Sequence, residues 1–171
     1  MNIFYLDHDP VVCATMHNNS HTVKMILEYA QITCTAHRIL DGDLAPDWIY
    51  KLASKNHPSV IWARTTSENY MYVARLLRAL SKEYTHRYGK VHATELKGIV
   101  DFVQTPPLNI PIGDMTPVYL AMPDHCKTDS PIESYKRYYL TEKRRLLKYK
   151  NRPYPDWVLN AVDSEVEEPI S

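Results

Sequence analysis

At 171 residues the chain has the length of one domain and enough material to bury a sizeable core. Its 20 lysines and arginines balance its 20 aspartates and glutamates, so net charge alone points to no nucleic-acid partner. Only four glycines among many helix formers suggest a mainly α, compact single-domain helical fold over residues 1–160, with an acidic flexible tail at 161–171.

Taken in order, Asn2-Ile-Phe-Tyr-Leu6 is a short β-prone apolar run, expected as a brief strand or an extended segment that buries the start of the chain. Asp7-His-Asp-Pro10 reads as a turn, with Asp9-Pro10 suited to open a helix. A helical stretch from about Val11 to Arg38 follows, with a break near Asn18-Asn19-Ser20 and Ser20 as the expected N-cap of its main part. Val23, Ile26, Leu27 and Ala30 form its apolar stripe. His17, His21, Lys24, Glu28 and Gln31 follow at spacings of four and three, which places all five on one ridge. Asp41-Gly-Asp43 ends this helix, and a loop with a short helix near Trp48 leads to Lys55-Asn-His-Pro58. Pro58 suits the first position of a helix through Arg64, which resumes from Tyr70 to Tyr88 with Ser67 as N-cap and Gly89 as C-cap. His92 to Gln104 reads as one more helix. Pro106 to Pro123 is a proline-rich wrap, Pro131 to Tyr149 a basic helix, and Arg152 to Trp157 an extended aromatic clamp. Three widely spaced cysteines without a Cys-x-x-Cys pair are expected as reduced thiols, and no apolar run approaches about 18 residues, so a soluble cytoplasmic protein without a membrane partner is expected.

Three constellations could carry chemistry. On the first ridge, Glu28 beside imidazoles suits a general acid/base or a cation stabiliser, with a solvated polar face as the plainer reading. His17 and His21 have the spacing of helical metal ligands. A third ligand would have to come from His8, His37, His57 or an acid, so neither metal nor cofactor is expected. Secondly, Asn56 and His57, with Arg64 nearby, lie at a loop-to-helix junction that could hold phosphate; simple capping of the helix competes with that role. The third runs from Tyr135-Lys136-Arg137-Tyr138-Tyr139 to Arg152, where Glu142 alone offsets eight cations. Interleaved rings and cations suit a nucleic-acid backbone, and pairing with the acidic tail is the alternative. Arg87 and Lys90 add a basic turn at a helix end.

The order of these signals resembles the pyrimidine-dimer DNA glycosylases, the phage endonuclease V type and its bacterial relatives. The likeness rests on the short apolar start, Ile26-Leu-Glu-Tyr-Ala-Gln31, Asn56-His-Pro58, Glu83 with Arg87-Tyr-Gly89, and Tyr135-Lys-Arg-Tyr-Tyr139, over roughly residues 1–145. It implies a compact helical enzyme acting on damaged pyrimidines in duplex DNA, the partner then expected. An amine would attack the sugar carbon C1′, a Schiff base would form, and β-elimination would cut the strand. Glu28 takes the place of that family's glutamate, His57 lies near the DNA, and Tyr135 to Tyr139 match its DNA-contact segment. An α-amine, with an ordinary pKa near 8, is more readily neutral at pH 7 than a lysine near 10.4. The family's phage enzyme starts with a small residue after Met. Here Asn2 is bulky, so Met1 is expected to stay and supply the amine, with Lys24 as a second candidate. Two further readings remain open at this point: a nucleotide- or base-modifying enzyme using His17, His21 and Glu28, and a non-catalytic DNA-binding module.

Overall fold

The computed structural model describes residues 1–164, with side chains through residue 161, and is built from α-helices with no strand among the described residues. Residues 1–7 form no helix or strand, a bend follows at 8–9, and Ile3, Phe4, Tyr5 and Leu6 are all buried. Buried backbone must find partners, and with no neighbouring strand side chains supply several of them. The Phe4 amide donates to the Tyr29 hydroxyl (3.2 Å), and the Cys13 thiol donates to the Phe4 carbonyl (3.1 Å). Of the two forms expected for the apolar start, the extended segment is the one present.

Asp9 caps helix α1 (Pro10–Met16), with Pro10 in the first turn. The expected long helix from Val11 is interrupted because His17 and Asn18 are both extended. Asn18, not Ser20, caps α2 (Asn19–Asp41), its Oδ1 accepting the His21 amide at 2.8 Å. A buried amide side chain at the cap satisfies a helix-start donor that an exposed Ser20 inside the first turn does not. The expected stripe on α2 is half right. Ile26 and Ala30 are buried, whereas Val23 and Leu27 face outward and Met25, Tyr29 and Ile32 complete the buried face.

Gly42, with φ 53°, ends α2, and a 3₁₀ turn follows at Gly42–Leu44 rather than a helix at Trp48. The Arg38 guanidinium holds the next loop by donating to the carbonyls of Asp47, Ile49 and Tyr50. His57 caps α3 (Pro58–Ala63), and Thr66 instead of Ser67 caps α4 (Ser67–Tyr88). Gly89 closes α4 in the left-handed region, as expected. The helix expected from His92 to Gln104 is two single turns, α5 (Ala93–Leu96) and α6 (Ile99–Phe102). Gly98, at φ 82°, separates them.

Helix α4 packs on both α1 and α2, and one continuous hydrophobic core runs from Ile3 through Tyr29, Tyr70, Leu76, Leu77 and Leu80 to Val158. The proline-rich stretch is tied onto this body. Trp62 Nε1 donates to the Thr116 carbonyl, and the Thr116 amide donates to Asn69 Oδ1. Helix α7 (Pro131–Thr141) stops well before Tyr149, and Arg144–Leu146 is a 3₁₀ turn. The clamp stays extended only to Pro155, because α8 (Asp156–Ser164) begins there and carries Trp157. The expected acidic tail thus begins inside α8, and its residues 165–171 lie outside the described ones. All three cysteines are buried free thiols, and no helix among the described residues is long and apolar enough to cross a membrane.

Candidate active site

The cap at Asn18 sets the register of α2, so His21, Lys24, Met25 and Glu28 line up on one side of its first turns. The extended start crosses that side and brings Met1, Asn2 and Phe4 against it. His57 from the head of α3, Tyr138 from α7 and Lys143 just beyond α7 complete the walls of a pocket of about 320 Å³.

Glu28 stands between two amines. The Met1 α-amino nitrogen is 3.7 Å from its Oε1, and Lys24 Nζ is 3.7 Å from its Oε2. The Glu28 side chain is only 16% exposed, and Oε2 has no hydrogen-bond partner among the described residues. The first residue is held by its neighbour. Asn2 Oδ1 accepts the Ile3 amide (2.7 Å), and Asn2 Nδ2 donates to the Ala121 carbonyl (3.0 Å). The buried Tyr135 hydroxyl lies 2.9 Å from Asn2 Oδ1 and 2.6 Å from the Tyr119 carbonyl oxygen.

Two imidazoles, His21 and His57, line the pocket. Burial, helped by His17, Lys143 and Lys24, pushes His21 down to about 2, so its ring is neutral at ordinary pH. Its Nδ1 lies 2.6 Å from the hydroxyl of Tyr139, which burial keeps protonated. That hydroxyl also accepts the Asn18 amide at 3.4 Å. The ring stacks on Phe4 with centroids 4.1 Å apart. His57 Nδ1 accepts the Ser59 amide at 3.0 Å, which leaves its proton on Nε2; burial and the nearby α-amine lower its pKa. Glu28 is the one carboxylate among the residues lining this pocket, against the amines of Met1, Lys24 and Lys143.

The other predicted residues distribute as follows. His17 ends α1 instead of joining the α2 ridge, and its ring is locked in the core between the Cys13 carbonyl (2.8 Å) and the Tyr29 hydroxyl (2.7 Å). The helical His17/His21 ligand pair is therefore absent, because the chain is extended at His17 and Asn18. Asn56 is exposed beside the pocket residue His57, while Arg64 is turned onto the carbonyls of Lys55 and Val60. Arg87 is buried, donating to Glu83, Asn19 and the Thr15 carbonyl. Lys90 is exposed beyond Gly89. In the aromatic-basic segment Tyr135 and Tyr139 are core residues, Tyr138 lines the pocket, Arg137 is exposed, and Lys136 lies over the Trp157 ring. Asn2, Phe4 and Lys143 were not singled out from the sequence. Lys143 is one cation in a run of eight, and only the folded chain distinguishes it.

A larger cavity of about 610 Å³ between α1 and α4 holds five basic side chains, but its carboxylates are committed. Glu83 binds Arg87 and Arg152, and Asp9 caps α1. Among the described residues, the three potential metal ligands that converge are His125, Cys126 and Glu142, none of which lines the smaller pocket. In comparisons with protein-family models, curated proteins and solved structures, the chain matches none of them.

Proposed function

We propose that the protein is a DNA glycosylase/AP lyase-type enzyme that works through an amine Schiff base. The observation that supports this most is a primary amine, Met1 N, 3.7 Å from a largely enclosed carboxylate, the one carboxylate of a pocket that also holds two lysines. The neutral amine attacks C1′, expelling the base from a damaged nucleotide or water from a base-free sugar, and opening of the sugar ring leaves an imine. Glu28 moves the protons of that step and stabilises the cationic sugar. Removal of a C2′ proton then expels the 3′ phosphate by breaking the C3′–O3′ bond, and hydrolysis of the imine frees the amine.

Met1 is favoured over Lys24 on conformational grounds. The Met1 side chain is 6% exposed and its neighbour is pinned at both ends, whereas Lys24 is 73% exposed on a flexible stem. An amine held in place loses less entropy on reaching the reacting carbon. Arg137, Arg145 and Lys148 supply cations for the flanking DNA backbone on the same stretch of chain as the pocket wall. The reaction needs no cofactor.

Borohydride reduction in the presence of a duplex containing an abasic site or a thymine dimer tests the proposal. A covalent adduct is expected, and peptide mapping is expected to place it on Met1. Glu28→Gln is expected to lower the trapping rate by about 10²-fold or more while duplex binding persists. An adduct on Lys24 would move the nucleophile, and no adduct on either duplex would overturn the proposal.

A further inference from the structure

We infer that Lys24, Lys143 and His57 form a phosphate subsite, so that the pocket takes a single sugar phosphate monoester, with C1 toward Met1 and the phosphate toward the lysines. The inference rests on the Schiff-base reading and adds the class of group that the site recognises.

Three features of the pocket carry it. The first is the imbalance of donors and acceptors. Met1, Lys24 and Lys143 bring amines, and His57 brings an Nε2 donor, against the Glu28 carboxylate. The Asn2 side chain, also in the wall, is spent on Ile3, Ala121 and Tyr135. A ligand rich in acceptors and negatively charged satisfies such a wall, and a neutral sugar does not.

The second feature is charge. Lys24 and Lys143 both act electrostatically on His21, and the Met1 amine acts on His57, so these groups share one small space. With Glu28 answering one amine, positive charge remains over. A phosphate monoester carries about −1.5 to −2 at pH 7, more than the single charge of a diester within a strand. The third is size. At about 320 Å³ the pocket lies at the small end of the range of about 300–1,000 Å³ for ligand sites, room for one sugar phosphate but not a dinucleotide. Lys143 is also oriented, its Nζ lying 5.2 Å from the centre of the Tyr138 ring, another wall of the pocket.

The covalent step is balanced without a further reactant. The amine nitrogen bonds to the aldehyde carbon of the open-chain sugar, the carbonyl oxygen leaves as water, and borohydride supplies the hydride that fixes the imine as a secondary amine. Intact-protein mass spectrometry after reduction would compare 2-deoxyribose 5-phosphate, 2-deoxyribose and an abasic duplex. The phosphorylated sugar is expected to be trapped at about tenfold lower concentration or less than the unphosphorylated one, and inorganic phosphate is expected to compete with it. Lys143→Gln, checked for folding by circular dichroism, is expected to shrink that preference about tenfold. Equal trapping of the two sugars, or an adduct with the duplex alone, would overturn the phosphate subsite and leave the Schiff-base reading standing. Absence of an adduct with all three would overturn both.

Discussion

His17 and His21 sit four residues apart, and the chain between them decides what each does. Both are buried, and burial leads in holding both neutral: His17 is pushed down to about 4 and His21 to about 2. His17 spends both ring nitrogens inside the core, so it is a structural residue. His21 spends one, on the Tyr139 hydroxyl, and lines the pocket. The depressed values have a consequence for stability. In the unfolded chain each imidazole binds a proton as the pH falls through about 6.5, while the folded chain does not until far lower. Stability from this source is complete above pH 6.5 and is lost as the pH falls toward 4. Each ring contributes a slope of up to about 1.4 kcal/mol per pH unit. Urea unfolding midpoints measured between pH 7 and 4 are expected to fall accordingly, and a flat profile over that range would contradict the buried neutral assignment.

At the scale of elements, α2 is the piece on which the site depends, and its start is set by one side chain. Asn18 Oδ1 accepts the His21 amide, while Thr22 Oγ1 donates to the Asn18 carbonyl at 2.9 Å, so the first turn is fastened twice. Asn18→Ala removes the first of these and is expected to cost about 1 kcal/mol, with Asn18→Ser restoring most of it. Thermal unfolding of the two variants checks this, and equal melting temperatures for Ala and wild type would show that the cap is idle. The same stretch shows what the sequence made legible. The ridge of His21, Lys24 and Glu28 follows from helical spacing alone, because i, i+3 and i+7 positions share a face wherever the helix starts. The cap was misplaced by two residues because Asn18, Asn19 and Ser20 are all good caps and only tertiary burial chooses among them. The false inclusion of His17 comes from counting helical spacing across the break before α2, where His17 and Asn18 are extended. Gly98 was visible as a residue but not as a break, since an isolated glycine within a helical pattern is ordinarily tolerated. Asn2 and Phe4 gave no signal, because their place in the site comes from threading the chain start across α2, a contact no local pattern encodes.

Over the whole molecule, the two ends of the described chain are fastened to the same helical body by different means. The start is held by apolar burial of Ile3 to Leu6. The segment before α8 is held by charge, with Arg152 donating to both carboxylate oxygens of Glu83 at 2.6 and 3.0 Å. Burial by itself would raise the Glu83 carboxyl, but the hydrogen bonds and charges of Arg152 and Arg87 outweigh it and hold it below the usual range. Glu83 is nearly fully buried on α4, so removing one of its two partners leaves part of a buried charge uncompensated. Arg152→Ala is therefore expected to cost about 2 kcal/mol at pH 7, as for a charged hydrogen bond, with Arg87 limiting the loss. The sign of the pH dependence follows from the lowered value. A carboxyl depressed in the folded state contributes stability above its unfolded pKa of about 4.3 and loses it as the pH falls through the lower folded value. The gap in unfolding free energy between Arg152→Ala and wild type is thus expected to be full at pH 7 and to narrow progressively below about pH 4. Taking the difference cancels the histidine contribution that both proteins share. A gap that persisted undiminished in acid would mean that Arg152 holds the segment by packing alone, and that charge has no part in joining it to α4.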